Sequence, residues 1–282
     1  MPTFSYSQDR ILTVMSSDRG IYNDFYSALK NNLHQDTTIT KISYSDINSE
    51  NLKDYNLIVS VGYVAAIAVS KHEIKTNIFY TLIPDNKSLQ NKMRCKSAAC
   101  YKIYINQPIS RYVRLFKILF PEGKKLAFAT TEDEANKIQQ VKTSSKNNEL
   151  PFKNISIQKN TNITRAFINN LKSNDVLLAL PNPYIYNASN AKSILLSTYH
   201  ANVPIIAYSK SFAKAGALIS LYSSIENVAE MTAKIVDAVA ASGLLKQKTY
   251  YPEKFMIEIN STVARSLNIN IESENELKRK LK

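Results

Sequence analysis

A short apolar run followed by an amphipathic stretch recurs along this chain, and no other feature limits its fold so strongly. ILTVM (11–15), NLIVSVG (56–62), NIFYTLI (77–83), KLAFATT (125–131), DVLLALP (175–181) and PIIAYS (204–209) are largely apolar runs of strand length. TITKISY (38–44), CYKIYIN (100–106) and KNISIQ (153–158) read as further strands. Between them, Ile21, Phe25, Leu29 and Leu33 recur at i, i+4, i+8 and i+12, one face of a helix. Helices are also expected at YVAAIAVSKH, ISRYVRLFKILF (109–120), 132–142, ITRAFINNLKS (163–173) and NASNAKSILLSTYHAN (187–202). Strands apolar on both faces, alternating with helices, specify parallel sheets covered on both sides. The rhythm runs through twice, so the expected fold class is α/β with two Rossmann-like, doubly wound lobes.

After the second set the pattern changes. Ser223 and Glu226 stand at capping-box spacing ahead of the long helix NVAEMTAKIVDAVAA, and Gly243 suits its end. A single strand, KFMIEI (254–259), then leads to STVARSLNIN and the basic tail ELKRKLK. One helix and one strand remain after two complete lobes, so the chain is expected to cross between lobes more than once.

Several function classes lose support at once. No apolar run approaches the roughly 18 residues that a membrane span needs, and MPTFSYSQDR lacks the basic and apolar regions of a signal peptide. The net charge of +13 comes from scattered lysines, clustered only in ELKRKLK, without the interleaved aromatics of a nucleic-acid reader. Nucleotide loops, nucleophile elbows and zinc-protease motifs are absent. The acidic run Glu132-Asp133-Glu134 suits a helix start, where it complements the dipole. His34, His72 and His200 are far apart in sequence, so no metal or cofactor is expected. Cys95 and Cys100 are spaced to close a small surface loop in an oxidising compartment, or stand as two thiols.

In parallel α/β sheets, ligands bind beyond the carboxyl ends of the strands. The residues expected there are Ser16, Ser17, Tyr63, Thr81 and Gln107, then Asn182, Tyr184, Tyr208, Ser209 and Tyr222. Thr130, Thr131, Gly62, Asn106 and Ser223 accompany them. Hydroxyls, amides and phenols with hardly a charge suit reversible capture of a small polar or zwitterionic molecule with an apolar part. In PIIAYSKSFAKAGALISLYSS, Tyr208-Ser209 reads as part of that wall and Tyr222-Ser223 as a crossover, with Gly216 turning the chain between them.

VPIIAYSKSFAKAGALISLYSSIENVAEMTAKIVDAVAASG resembles the ABC-transporter substrate-binding proteins of the type I periplasmic-binding fold, in the branch that includes tryptophan- and tyrosine-binding proteins. FMIEINSTVARSLNINI is similar to that family's closing segment at Asn260, Ala264 and Leu267, with Asn268 in place of a glycine. Asn182 replaces the family's usual acidic residue, and INQPIS (105–110) its usual hinge. The resemblance implies three crossovers, near Gln107-Pro108, Tyr222-Ser223 and Tyr251-Pro252. Lobe one is then 1–107 with 223–250, and lobe two 108–222 with 251–282. It also implies a non-enzymatic, monomeric protein, periplasmic or membrane-anchored outside the cytoplasm. Such a protein would carry a small-molecule ligand, aromatic amino acids within its class, to an ABC permease. A ligand sensor signalling to a membrane receptor, and a cytoplasmic doubly wound enzyme, are the alternatives.

Overall fold

The computed structural model describes residues 10–86, 90–147 and 150–282; the stretch MPTFSYSQD lies outside the described residues. The chain divides into two compact units, Met1–Ile105 with Ser223–Lys254, and Asn106–Tyr222 with Phe255–Lys282.

The sheet of the first unit contains β1 (Arg10–Met15), β2 (Thr38–Ser43), β3 (Leu57–Val61), β4 (Asn77–Ile83), β5 (Cys100–Tyr104) and β11 (Thr249–Tyr250), in the spatial order β11-β5-β4-β3-β1-β2. All its pairings are parallel. Alternate residues of each strand enter opposite cores. Ile11, Met15, Val59, Val61 and Phe79 pack with Phe25 and Leu29 of α1 (Ile21–Asn32). The same core receives Val228, Ala229 and Val236 of α8 (Ile225–Ser242). On the other face, Leu12, Val14, Ile58 and Tyr80 pack with Ala65, Ala66 and Val69 of α2 (Tyr63–Val69). Each such aliphatic or aromatic side chain contributes about 1.5–3 kcal/mol by leaving water.

The second unit repeats the plan. Its strands are β6 (Lys125–Thr131), β7 (Phe152–Ile157), β8 (Asp175–Leu178), β9 (Ile205–Ala207), β10 (Ile219–Tyr222) and β12 (Met256–Ile259), in the order β12-β10-β9-β8-β6-β7. Leu126, Phe128, Val176 and Leu178 face Tyr112, Val113 and Phe116 of α3 (Ile109–Leu119) and Leu277 and Leu281 of α10 (Glu274–Leu281). Ala127, Ala129, Leu177 and Ala179 face the other way, toward Phe167 of α5 (Ile163–Asn170) and Ile194 and Leu195 of α6 (Ala188–His200). α4 (Ala135–Asn147) and α9 (Ser261–Ser266) complete the described helices together with α7 (Lys210–Ala215).

Several details differ from the sequence reading. Ile21 is 47% exposed, because it is the first residue of α1 and precedes the turn that packs on the sheet. The stretch 132–142 opens as a 3-10 turn at Glu132–Glu134 before α4 begins. β12 pairs antiparallel with β10, so the second sheet is not wholly parallel. The short edge strand β11 was not anticipated; it adds two residues beside β5. Between β9 and β10 lies the helix α7, closed by Gly216 at φ 131°, and not a bare turn. Asn268 adopts φ 52°, the left-handed conformation that its glycine-like position requires.

The long helix α8 is capped one residue later than the S-x-x-E pattern suggests. Ser224 Oγ accepts from Asn227 N at 3.2 Å, and Asn227 Oδ1 accepts from Ser224 N at 3.3 Å. Ser223 is instead buried. The unit boundaries also move relative to 107/108 and 250/251. Ile105 N donates to Ile83 O in the first unit, and Lys254 Nζ pairs with Glu230 of α8 at 2.5 Å. Both bonds lie within the first compact unit, which ends its two segments at Ile105 and Lys254.

Cys95 and Cys100 are joined by a disulfide, with Cα atoms 5.9 Å apart, just ahead of β5. Closing so short a loop contributes about 2 kcal/mol by the chain-entropy argument. Mild reduction is therefore expected to lower the denaturation midpoint by a matching amount; an unchanged midpoint would show that the bond constrains little. Ser224→Ala is expected to cost about 1 kcal/mol in urea denaturation. A larger loss in Ser223→Ala than in Ser224→Ala would restore the S-x-x-E register.

Candidate functional site

Both sheets have the order 2-1-3-4-5, counted from the first strand of each unit. In this order successive connections leave the first strand in opposite directions, which opens a crevice at its carboxyl end. In the first unit the crevice lies between β1 and β3, in the second between β6 and β8.

At the first of these, Ser16 follows β1. Its N–H donates to Val61 O at 3.0 Å, and its Oγ accepts from Ala65 N at 2.9 Å, capping the start of α2. The backbones approach so closely that a Cβ on Gly62 (φ 86°) would sit 2.6 Å from both Ser16 Oγ and a Tyr22 ring carbon. Glycine is the residue that fits there. Ser17, part-exposed, accepts from Arg19 N at 3.3 Å, and Tyr63 opens α2 half-buried. Thr81 lies on β4. It is fully buried, with Oγ1 2.7 Å from Thr232 Oγ1 of α8, so it joins sheet to helix. Immediately after it, β4 carries a bulge at which Leu82 takes φ 55°, an uncommon conformation for a leucine.

At the second crevice, Asn182 is buried and fully engaged. Its Nδ2 donates to Thr131 Oγ1 at 3.1 Å and to Glu134 Oε2 at 2.7 Å. Its Oδ1 accepts from Tyr184 N at 2.9 Å and Ile185 N at 3.1 Å. Glu134 in turn pairs with Lys137, whose ammonium also donates to Pro181 O at 2.8 Å. Asn182 therefore clasps β6 to the loop after β8. Glu134 is more than a helix-dipole residue. Thr131 and Glu134 form a capping box, a T-x-x-E spacing legible in the sequence.

Beside the clasp stands an aromatic corner. The Tyr186 ring lies 6.4 Å from that of Tyr208 and 5.9 Å from that of Phe212, edge-on to both. Burial raises the pKa of both phenols above the ordinary tyrosine value, so they stay neutral. Tyr208 Oη donates to Tyr186 O at a long 3.4 Å, while the buried Tyr186 hydroxyl has no protein partner. Tyr186 lies in a loop, eight residues past the end of β8, beyond the reach of the strand-end rule. Tyr184, 43% exposed, accepts from Asn160 N at 3.1 Å, and Ser209 caps α7 by accepting from Phe212 N at 3.3 Å.

The remaining two expected residues lie beside chain crossings. Gln107 is buried and accepts from the Arg111 guanidinium. Tyr222, half-buried at the end of β10, pairs with Met256, and burial raises its pKa. Among the described residues no group of His, Cys, Asp or Glu is arranged to hold a metal ion, and no helix is long and apolar enough to cross a membrane.

The family model of the ABC transporter substrate binding proteins matches residues 20–280. No curated protein sequence matches the chain. Three solved structures share its fold. A ligand-free, open substrate-binding protein with adhesive properties from Clostridium difficile aligns with TM-score 0.71 at 14% identity, over 94% of this chain and 96% of that one. A Streptococcus pneumoniae ABC domain in complex with L-Trp gives 0.61 at 14% identity, over 96% and 98%. A conserved domain protein from Vibrio cholerae gives 0.62 at 15% identity, over 96% and 98%. The fold is that of the type I periplasmic binding proteins.

Asn182→Asp would set a second carboxylate against Glu134. Like-charge repulsion raises the folded-state pKa of that pair above its unfolded value. The variant therefore keeps its stability below the unfolded carboxylate range, about pH 4, and loses it as pH rises through the raised value. Urea denaturation is expected to show a deficit growing to about 2 kcal/mol at pH 7; a deficit independent of pH would disprove the clasp.

Proposed function

Because the chain belongs to the ABC transporter substrate-binding protein family, we propose that it captures a small polar or zwitterionic solute with an apolar part and presents it to the membrane permease of an ABC importer. The observation that carries this reading is the family match, which runs from the start of the first helix nearly to the end of the last. The chain works as a binding protein without turnover and acts as a monomer outside the cytoplasm, periplasmic or held at the membrane. The Cys95–Cys100 disulfide suits such an oxidising compartment.

In this proposal both units contribute ligand contacts from the carboxyl ends of their strands. Ser16, Ser17 and Tyr63 serve from the first unit, and Tyr184, Tyr208 and Ser209 from the second. Tyr186, sharing the aromatic corner with Tyr208, adds a hydroxyl that the protein leaves without a partner. A phenol offers a ring face and a hydroxyl together, which suits a ligand that is apolar in one part and polar in another. Aromatic amino acids fall within that class, and the L-Trp complex of the pneumococcal relative is a reason to test them first. Asn182 acts behind the wall by fixing the loop that carries Tyr184 and Tyr186, and Thr81 by joining β4 to α8. Gln107 and Tyr222 lie where the chain crosses between the units, and there they serve hinge motion.

A thermal-shift screen of amino acids, purines, sugars and vitamins tests this directly. One chemical class is expected to stabilise the protein, by about 2.7 kcal/mol at a hundredfold excess over Kd. A flat response across every class would sink the proposal. With the responding compound, Tyr208→Ala is expected to weaken binding by about tenfold or more, whereas Thr81→Val leaves Kd unchanged within about twofold. The reverse pattern would move the site away from the aromatic corner.

A further inference from the structure

The basic tail that closes the sequence has no part in ligand capture, yet its placement is specific. It forms α10, an amphipathic helix capped by Ser273, whose Oγ accepts from Glu276 N at 3.4 Å. Leu277 and Leu281 are fully buried in the second unit's core. That docking directs Arg279, Lys280 and Lys282 outward, with Lys278 half-exposed beside them. α10 packs along α3, where Arg114 donates to Lys280 O at 3.0 Å. Arg114 and Lys117, both exposed, extend the array on α3. Among the described residues, Glu272, Glu274 and Glu276 stand against Lys278, Arg279, Lys280 and Lys282 of the tail and Arg114. Glu272 pairs with Lys280 at 2.5 Å, Glu276 is bonded to Ser273, and Glu274 completes the first turn of α10.

We infer that this face of α3 and α10 docks the protein on an anionic phospholipid surface. Charge complementarity is one ground. Lysines and arginines close to an anionic leaflet each add to its attraction, within a Debye length. The make-up of the face is the other. None of the described exposed large apolar residues (Ile21, Tyr44, Val64, Ile168, Tyr184, Leu196, Tyr199 and Leu244) lies on either helix. A protein partner is normally gripped by desolvated aromatic or aliphatic anchors, whereas a fluid charged surface needs none. The location favours no competing task, since the array is built on helices that cover the core and not on strand ends.

Sedimentation with phosphatidylglycerol vesicles, using phosphatidylcholine vesicles as the reference, tests the inference. Binding is expected only to the anionic vesicles and is lost at roughly 0.5 M salt, where screening is short-ranged. The triple variant Lys278→Gln, Arg279→Gln, Lys282→Gln is expected to reduce partitioning by about tenfold or more, with an unchanged melting profile. The first-unit control Lys30→Gln, Lys53→Gln, Lys71→Gln removes the same charge and is expected to bind like the parent. Equal losses in both triples would assign the effect to net charge and overturn the inference. Absence of vesicle binding, with retention on immobilised polyglutamate, would assign the face to an acidic protein and overturn it as well. Neither outcome touches the ligand-binding proposal, whose screen reads a different property.

Discussion

The structure depends on covering both faces of each sheet. Parallel strands such as Ile11–Met15 and Leu126–Ala129 place apolar residues on alternate sides, so each sheet needs two helical layers. Helices laid along the faces leave the strand ends uncovered. Polar side chains concentrate there because backbone groups at those ends need partners. The clustering of polar groups at the strand ends is thus a by-product of how the cores are closed.

The two crevices satisfy their backbones in different ways. In the first unit a single hydroxyl, Ser16, caps the next helix, and glycine at position 62 lets the segments meet. In the second, Asn182 joins four groups and leans on the Glu134–Lys137 pair. Burying that pair carries a desolvation cost, which the additional bonds to Thr131, Asn182 and Pro181 offset. A carboxylate so enclosed is a structural support.

The strands and helices were largely legible because their periodicities are strong. NIFYTLI and KLAFATT begin and end where the sequence places them. Where each candidate residue lies was more legible than what it bonds to. The strand-end rule finds Thr81 and Asn182, but a residue just past or at a strand end turns outward or inward according to a bulge or a neighbouring helix. Thr232, the partner of Thr81, is 151 positions away, and Glu134 reaches Asn182 across 48. Local pattern holds no record of such pairings. The same limit hid β11, whose two residues are strand only because β5 lies beside them, and the Ser224 cap, where two adjacent serines offer the same chemistry.

The discontinuity of the first unit also has a consequence for how the protein is made. Its sheet is complete through β5 once residue 104 has been synthesised, yet α8, which covers Met15, Val61 and Phe79 with Val228, Ala229 and Val236, is encoded more than a hundred residues later. The ribosome therefore builds the whole continuous body of the second unit while one face of the first still lies open to water. Exposed apolar surface of that kind attracts other chains. The order of the segments along the message thus leaves part of the first core uncovered until α8 is made.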